Sequence, residues 1–451
     1  MNRKRKRGNS IWKWLLGFGL LILVIGGIFL VMNSKPNNSN NSETTPGDTN
    51  NQEITKTPTL EPQGDNTSEG EPTISPTEIA TTDAPDNDSD GGDIPDNGTE
   101  PTQPAEQSEN KVQQIIDKMD LYEKICQMFI VFPDSLTGVS NVTAAGEVTK
   151  NALSDYPVGG LLYSGGNLVN EKQVTDMIQG AQSYSKLPLF IATDEEGGRV
   201  ARVMKALQSY SMNAMLTYKD MGTEKASENA KTIAGAIEKY GFNTDFAPVA
   251  DVWSNPANTV IGDRAYSSDF EQAADLIAAA VQGFEEEGII CTLKHFPGHG
   301  NTETDTHYGA AYVTKSLDEL RKEEFLPFES GIKAGADMVM IGHIIVSDVD
   351  DVPATFSHKI VTEILRNELN FKGVVITDAL DMQAMTDFYG SGQIAINAVL
   401  AGDDILLCPA NLEESVAALM KAVKDGKISE ERIDQSVGRI LNLKIAKGII
   451  K

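Results

Sequence analysis

The segment GVVITDALDM (373–382) holds a short apolar run and then an acid, Asp378. β-Branched residues without a charge suit a strand covered on both faces, and a carboxylate directly after them marks the strand's end. Seven more runs read the same way: CQMFIVF (126–132), GGLLYS (159–164), LPLFIAT (187–193), TDFAPVA (244–250), GIICTLK (288–294), ADMVMIG (336–342) and DDILLC (403–408). Amphipathic patterns such as 271–287 and 359–369 separate most of them. Apolar strands alternating with helices predict a parallel sheet covered on both faces. Eight such units in the 341 residues 111–451 predict a single (β/α)8 TIM-type barrel of the α/β class, with a doubly wound open sheet as the alternative. The last helix is expected to begin after Ser429 as N-cap, with Ile433, Val437, Ile440, Leu441 and Ile445 on one stripe.

Outside the barrel the chain changes character twice. Residues 1–32 carry six basic residues and no acid, residues 33–110 carry 17 acids against Lys35 and Lys56, and residues 111–451 carry 30 basic and 48 acidic residues. The stretch 15–32, LLGFGLLILVIGGIFLVM, is 18 residues without a charge. At ~1.5 Å per residue it is long enough to cross a bilayer core. Its basic flank stays on the cytoplasmic side, which puts everything after it outside the cell membrane. A cleaved signal peptide is the alternative, but no A-x-A-like site follows. Residues 33–110 hold ten of the 19 prolines and almost no large apolar side chain, so they are expected to be an extended, disordered spacer. The organisation read from composition is a basic cytoplasmic tail (1–10), a transmembrane signal anchor (11–32), an acidic linker (33–110) and a catalytic barrel (111–451). The net charge of −27 argues against a nucleic-acid partner. Cys126, Cys291 and Cys408 are too scattered for a disulfide framework.

Polar residues fall at the ends of the apolar runs. Asp194, Asp251, His295, His343 and Asp378 follow the third to seventh runs. In a barrel those ends surround one mouth, where active sites are built. An acid there also suits a helix N-cap, as Asp378 or Asp381 would for the following helix. Three of the five histidines fall in LKHFPGHGNTETDTHYG (293–309). His295, His299 and His307 with Asp305 form one candidate metal set, but Gly298, Gly300 and Gly309 suggest a mobile loop rather than a fixed cage. The other reading is acid–base chemistry, in which Asp305 orients the His307 imidazole and raises its affinity for a proton. With Asp378 as a nucleophile, a separate proton donor completes the logic of a retaining glycosidase.

The chain resembles the β-N-acetylhexosaminidase, or β-N-acetylglucosaminidase, branch of glycoside hydrolase family 3. The pieces that carry the resemblance are DEEGGRV (194–200), FAPVADV (246–252) with IGDRAYSSD (261–269), KHFPGHG (294–300) with DTH (305–307), MIGHIIV (340–346), PATFS (353–357) and GVVITDALDM (373–382). The resemblance implies that Asp378 is the nucleophile, His307 the acid/base and Asp305 its carboxylate partner. It further implies that Asp194, Arg264, Lys294 and His295 hold the sugar in the −1 subsite, with no metal or other cofactor. Departures are small: Glu195 stands where the family often has Gln, and Ile341-Gly342 where it has Ser/Thr-Ala. Many relatives carry a second α/β domain, whereas here the sequence ends soon after the expected eighth helix, so all catalytic groups are expected from the barrel.

The expected activity is removal of N-acetylglucosamine from peptidoglycan fragments or related oligosaccharides by a membrane-anchored, extracytoplasmic enzyme. A different glycosidase such as a β-glucosidase, a metal-dependent hydrolase using the histidines, and a wall-binding protein with a dead site are the competing readings.

Overall fold

The computed structural model describes residues 103–302, 309 and 311–451. The expected tail, membrane anchor and nearly all of the linker lie outside the described residues, as do Asp305 and His307. Among the described residues no helix is long and apolar enough to cross a membrane.

In chain order the strands are β1 (Phe129–Val131), β2 (Gly160–Leu162), β3 (Phe190–Thr193), β4 (Glu195–Gly197), β5 (Val200–Ala201) and β6 (Thr244–Asp245). They continue with β7 (Thr292–Phe296), β8 (Ala311–Val313), β9 (Met338–Ile341), β10 (Ile344–Val346), β11 (Val374–Thr377) and β12 (Leu406–Leu407). Eight of them fall in the eight apolar runs. Ladders join β12-β1-β2-β3-β6 and β7-β9-β11, all parallel. Hydrogen bonds close both gaps. Asp245 N–H donates to Ile290 O and Thr292 N–H to Ala247 O, each at 2.8 Å, while Thr377 N–H donates to Ile405 O at 3.0 Å. The sheet is therefore a closed eight-stranded barrel, and the open doubly wound alternative is set aside. The wall strands are buried throughout because closure covers one face with barrel side chains and the other with helices.

Each wall strand is followed by a helix that packs back on the wall. Phe270–Glu286 and Lys359–Glu368 occupy the two amphipathic stretches, and Asp269 caps the first by accepting from Gln272 N–H. The remaining strands form two small ladders within the loops: an antiparallel β4–β5 hairpin and a parallel β8–β10 pair.

Two expectations change. The eighth wall helix is Leu412–Lys424, and Ser429 caps an additional helix, Glu430–Ala446. This last helix lies across the floor, where the strands begin. Lys124, ahead of β1, pairs with Asp434 at 2.7 Å, and Ser436 Oγ donates to Asp404 Oδ1, ahead of β12, at 2.6 Å. Lys444 Nζ donates to Gln127 Oε1 (3.1 Å) and Gly159 O (2.9 Å), and Lys447 pairs with Asp337, just before β9, at 3.0 Å. An apolar stripe looks the same whether a helix covers a wall or a floor. The second change is the start of the folded part. A helix spans Gln103–Ile116, beginning inside the stretch read as linker and running into the expected barrel region, where it buries Val112 and Ile116 beside the floor helix.

Candidate active site

The motif DEEGGRV follows β3, and its acids divide the work. Glu196 is buried and accepts a forked pair from Arg264, Nε to Oε2 at 2.8 Å and Nη2 to Oε1 at 2.9 Å. Lys294, at the end of its apolar run, reaches the same carboxylate at 2.7 Å and donates to Asp194 Oδ1 at 2.8 Å. Burial works against the Glu196 charge, but the two cations outweigh it and hold the carboxyl far below its usual range. Lys294 is likewise disfavoured by burial yet kept charged by Asp194 and Glu196. The result is a row of alternating fixed charges in which Asp194, 26% exposed, is the carboxylate that faces the open space. Glu195 points elsewhere. It accepts from Val203 N–H (2.7 Å) and Met204 N–H (3.1 Å) and so starts the helix Arg202–Leu207.

A second cluster lies at the ends of β6 and β7. Asp251 is fully buried, and its carboxylate accepts from the backbone N–H of His295 and, at 2.6 Å, from that of His299. His295 Nδ1 lies 2.6 Å from Asp251 Oδ2. The His299 ring packs edge-on against His295 with centroids 5.9 Å apart, and its Nδ1 lies 2.7 Å from Thr302 Oγ1. The glycines between them serve close packing rather than mobility. A Cβ on Gly300 would sit 1.7 Å from Val252 O, and Gly298 has φ +121° with Glu324 Cγ in the way of a side chain.

Asp378 ends β11 with its N–H donating to Ile341 O at 2.9 Å. It is not a helix cap: the next helix, Gln383–Thr386, has Met382 at its N-cap with no side-chain bond, so Asp381 does not cap it either. Asp378 Oδ1 instead accepts from Ala379 N–H at 2.8 Å. Burial raises the Asp378 carboxyl, but the imidazoles of His295 and His343 and the Ala379 amide more than offset this, leaving it below the usual carboxylate range. His343 is buried, with Nδ1 2.7 Å from Thr355 Oγ1 and Nε2 2.9 Å from Ala379 O, and so braces the peptide next to Asp378.

Asp194, Arg264, Lys294, His295 and Asp378, all expected from the sequence, line one pocket of about 220 Å³ at the barrel mouth. Asp305 and His307 lie outside the described residues, between Thr302 and Gly309 of the loop rooted at His299. His299, named from the sequence only in the candidate metal set, also lines the pocket. Glu196 and Asp251 are the functional groups the sequence reading left without a role. Glu196 lay inside a quoted motif, and Asp251 stood at a strand end. Among the described residues no group of three or more His, Cys, Asp and Glu is arranged to hold a metal ion.

A carboxylate kept ionised at a barrel mouth, in one pocket with fixed cations and a partly exposed acid, suits a glycoside hydrolase of the barrel type. The chain belongs to glycosyl hydrolase family 3: residues 120–443 match the Glycosyl hydrolase family 3 N terminal domain. It is 37% identical over 322 residues to beta-hexosaminidase A of Pseudoalteromonas piscicida, a match covering 65% of this chain and 54% of that protein. It is 35% identical over 278 residues to a beta-hexosaminidase of Stenotrophomonas maltophilia (strain R551-3), covering 60% of this chain and 82% of that one. A solved glycoside hydrolase family 3 beta-N-acetylglucosaminidase from Paenibacillus sp. str. FPU-7 superposes with a TM-score of 0.68 at 36% identity, covering 73% of this chain and 63% of that one. The chain thus spans only about half of the Pseudoalteromonas relative.

Proposed function

We propose that the protein is an exo-acting β-N-acetylglucosaminidase that retains anomeric configuration and removes N-acetylglucosamine from peptidoglycan fragments or related oligosaccharides. The observation that carries this reading is the shared pocket. Asp378, held ionised, faces the space bordered by Asp194, Arg264, Lys294 and His295. In this reading Asp378 attacks the anomeric carbon, displacing the aglycone oxygen, which takes a proton from His307. His307 then removes a proton from water as that water releases the sugar from Asp378. Asp305 orients the imidazole. Asp194 accepts from sugar hydroxyls while Lys294 and Arg264 donate. The names of the relatives favour N-acetylglucosamine over glucose as the terminal sugar. The basic flank and the uncharged 18-residue apolar run within residues 1–32 favour anchorage in the cell membrane with the barrel outside.

The test is hydrolysis of 4-nitrophenyl N-acetyl-β-glucosaminide and of the matching β-glucoside, with and without EDTA, following the anomer first released by NMR. The expected result is preferential cleavage of the N-acetylglucosaminide, β-anomer first, unaffected by the chelator. Preference for the glucoside, release of the α-anomer, or loss of activity in EDTA would each overturn the reading.

A further inference from the structure

The other charged residues of the segment DEEGGRVAR (194–202) are committed to described partners. Asp194 binds Lys294, Glu195 starts a helix, and Glu196 grips Arg264 and Lys294. Arg199 donates to Val260 O and Ile261 O and pairs with Asp263 at 2.8 Å. Arg202 is different. Its side chain is exposed and has no hydrogen bond or ion pair to any described residue. Its backbone N–H donates to Asp194 O at 3.3 Å, which keeps it beside the pocket.

A second chamber, of about 550 Å³, opens at this point. It shares Phe132, Asp194 and Arg202 with the sugar pocket and continues past Lys205, Ser164 and Gly165. Lys205 Nζ is tied only to a neutral carbonyl, Arg199 O, at 2.6 Å. Among the described residues the one acid bordering the chamber, Asp194, is already matched by Lys294. Among the described residues, Arg202 and Lys205, neither paired with an acid, therefore border a hollow whose one acid, Asp194, is matched by Lys294, on a barrel region with 48 acidic and 30 basic residues.

Asp378, Ala379 and Met382 border the sugar pocket but not this chamber. The chamber thus adjoins the Asp194 end of the pocket and not the nucleophile end. A sugar whose anomeric carbon faces Asp378 turns the far side of its ring toward Asp194. What enters the chamber is then a substituent of the terminal sugar rather than the leaving group. The C6 hydroxyl, on an exocyclic carbon, projects furthest. A guanidinium fork and an ammonium match a tetrahedral oxyanion there.

We propose that this chamber is a subsite for an anionic ester, sulfate or phosphate, on C6 of the terminal N-acetylglucosamine, bound by Arg202 and Lys205. This rests on the proposed reading of Asp378 as nucleophile and N-acetylglucosamine as terminal sugar.

The experiment compares kcat/KM of the wild type, Arg202→Ala and Arg202→Lys on four probes. These are 4-nitrophenyl N-acetyl-β-glucosaminide, its 6-sulfate, its 6-phosphate, and a β-N-acetylglucosaminyl disaccharide whose leaving sugar bears a carboxylate. The wild type is expected to cleave one or both esters at least as well as the parent, more so at low salt. Arg202→Ala should lower the ester-to-parent ratio by roughly 10- to 100-fold, and Arg202→Lys should restore part of it. A ratio identical in wild type and Arg202→Ala overturns the subsite, as does refusal of both esters by the wild type. Dependence on Arg202 only for the carboxylate-bearing disaccharide moves the cations to the leaving group and also overturns it. If the wild type cleaves no N-acetylglucosaminide at all, the proposed function itself falls and the subsite with it.

Discussion

Asp251 Oδ2 lies 2.6 Å from His295 Nδ1, and the same carboxylate accepts the backbone N–H of His299. Burial opposes its charge, but the neighbouring imidazoles and the His299 amide hold the carboxyl below its usual range. One buried acid therefore orients a pocket histidine through Nδ1, leaving Nε2 outside that bond, and pins the root of the histidine loop.

Asp251→Asn keeps the shape and removes the charge. A hydrogen bond to a charged group is typically worth about 1.5–3 kcal/mol, or roughly 10- to 100-fold. A loss of that size in kcat/KM on 4-nitrophenyl N-acetyl-β-glucosaminide is expected, with a displaced pH profile and an intact circular dichroism spectrum. An unchanged pH profile would reduce Asp251 to a structural part.

Glu196 offsets two cations at once, Arg264 and Lys294. Glu196→Gln removes the forked partner of Arg264, leaving it only the weaker pull of Asp251 and Asp194, and leaves Lys294 paired with the partly exposed Asp194 alone. Breaking a buried ion pair by removing one partner typically costs about 3–5 kcal/mol. Urea unfolding of the variant should show a loss in that range, and a loss below about 1 kcal/mol would mean that solvent reaches the network.

Lys444 is fully buried over the Phe190 ring, and burial pushes its pKa down from 10.5 to about 7. Between pH 7 and 10.5 the unfolded chain binds the Lys444 proton and the folded chain does not. Its contribution to stability therefore rises with pH across that window, by up to about 1.4 kcal/mol per pH unit, and is flat below it. The difference in stability between wild type and Lys444→Met, measured from pH 6 to 10, should follow that slope. A difference independent of pH would place the folded pKa near its ordinary value.

For His307 the discriminating variable is the leaving group. Acid assistance is typically worth ~100- to 10,000-fold, and most where the leaving oxygen is a poor anion. His307→Ala should lose most of its rate on a disaccharide and far less on an activated aryl glycoside, and Asp305→Ala should do the same more weakly. Equal losses on both substrates, with partial rescue by added zinc, would favour a metal role for the histidines.

Removing residues 1–102 should leave a folded, active barrel, whereas removing 1–116 deletes the helix that buries Val112 and Ile116. Each such side chain contributes roughly 1.5–3 kcal/mol on burial. Thermal unfolding of the two truncated proteins, compared with the full chain, checks this. Equal melting temperatures would show the helix to be dispensable.

The barrel was legible because wall strands covered on both faces carry unbroken apolar runs, and a polar residue after such a run can only be at its end. That logic found Asp194, His295 and Asp378 and located Asp251. It could not assign Asp251 a partner, because two of its donors are backbone N–H groups, of His295 in β7 and of His299 just beyond it, which no side-chain pattern encodes. Glu196 and Glu195 are adjacent acids in the sequence. Only the fold separates the one that grips Arg264 from the one that starts a helix. The glycines at 298 and 300 misled for a related reason. Glycine signals freedom when nothing is near, and here Val252 O and Glu324 are near. The final helix was read as wall because its stripe reports that something apolar lies beneath it and not what.

That final helix also settles which way the enzyme presents itself. It spans the floor, and the helix Gln103–Ile116 packs against it, while the pocket lined by Asp378 opens at the opposite end. Coupling to a bead, a sensor chip or a fusion partner at Gln103, with the preceding residues removed, therefore attaches the barrel by its closed side. Polymers too large to pass beneath the protein can still approach the pocket from above, so immobilisation through this end should leave the enzyme's access to bulky glycans unimpaired.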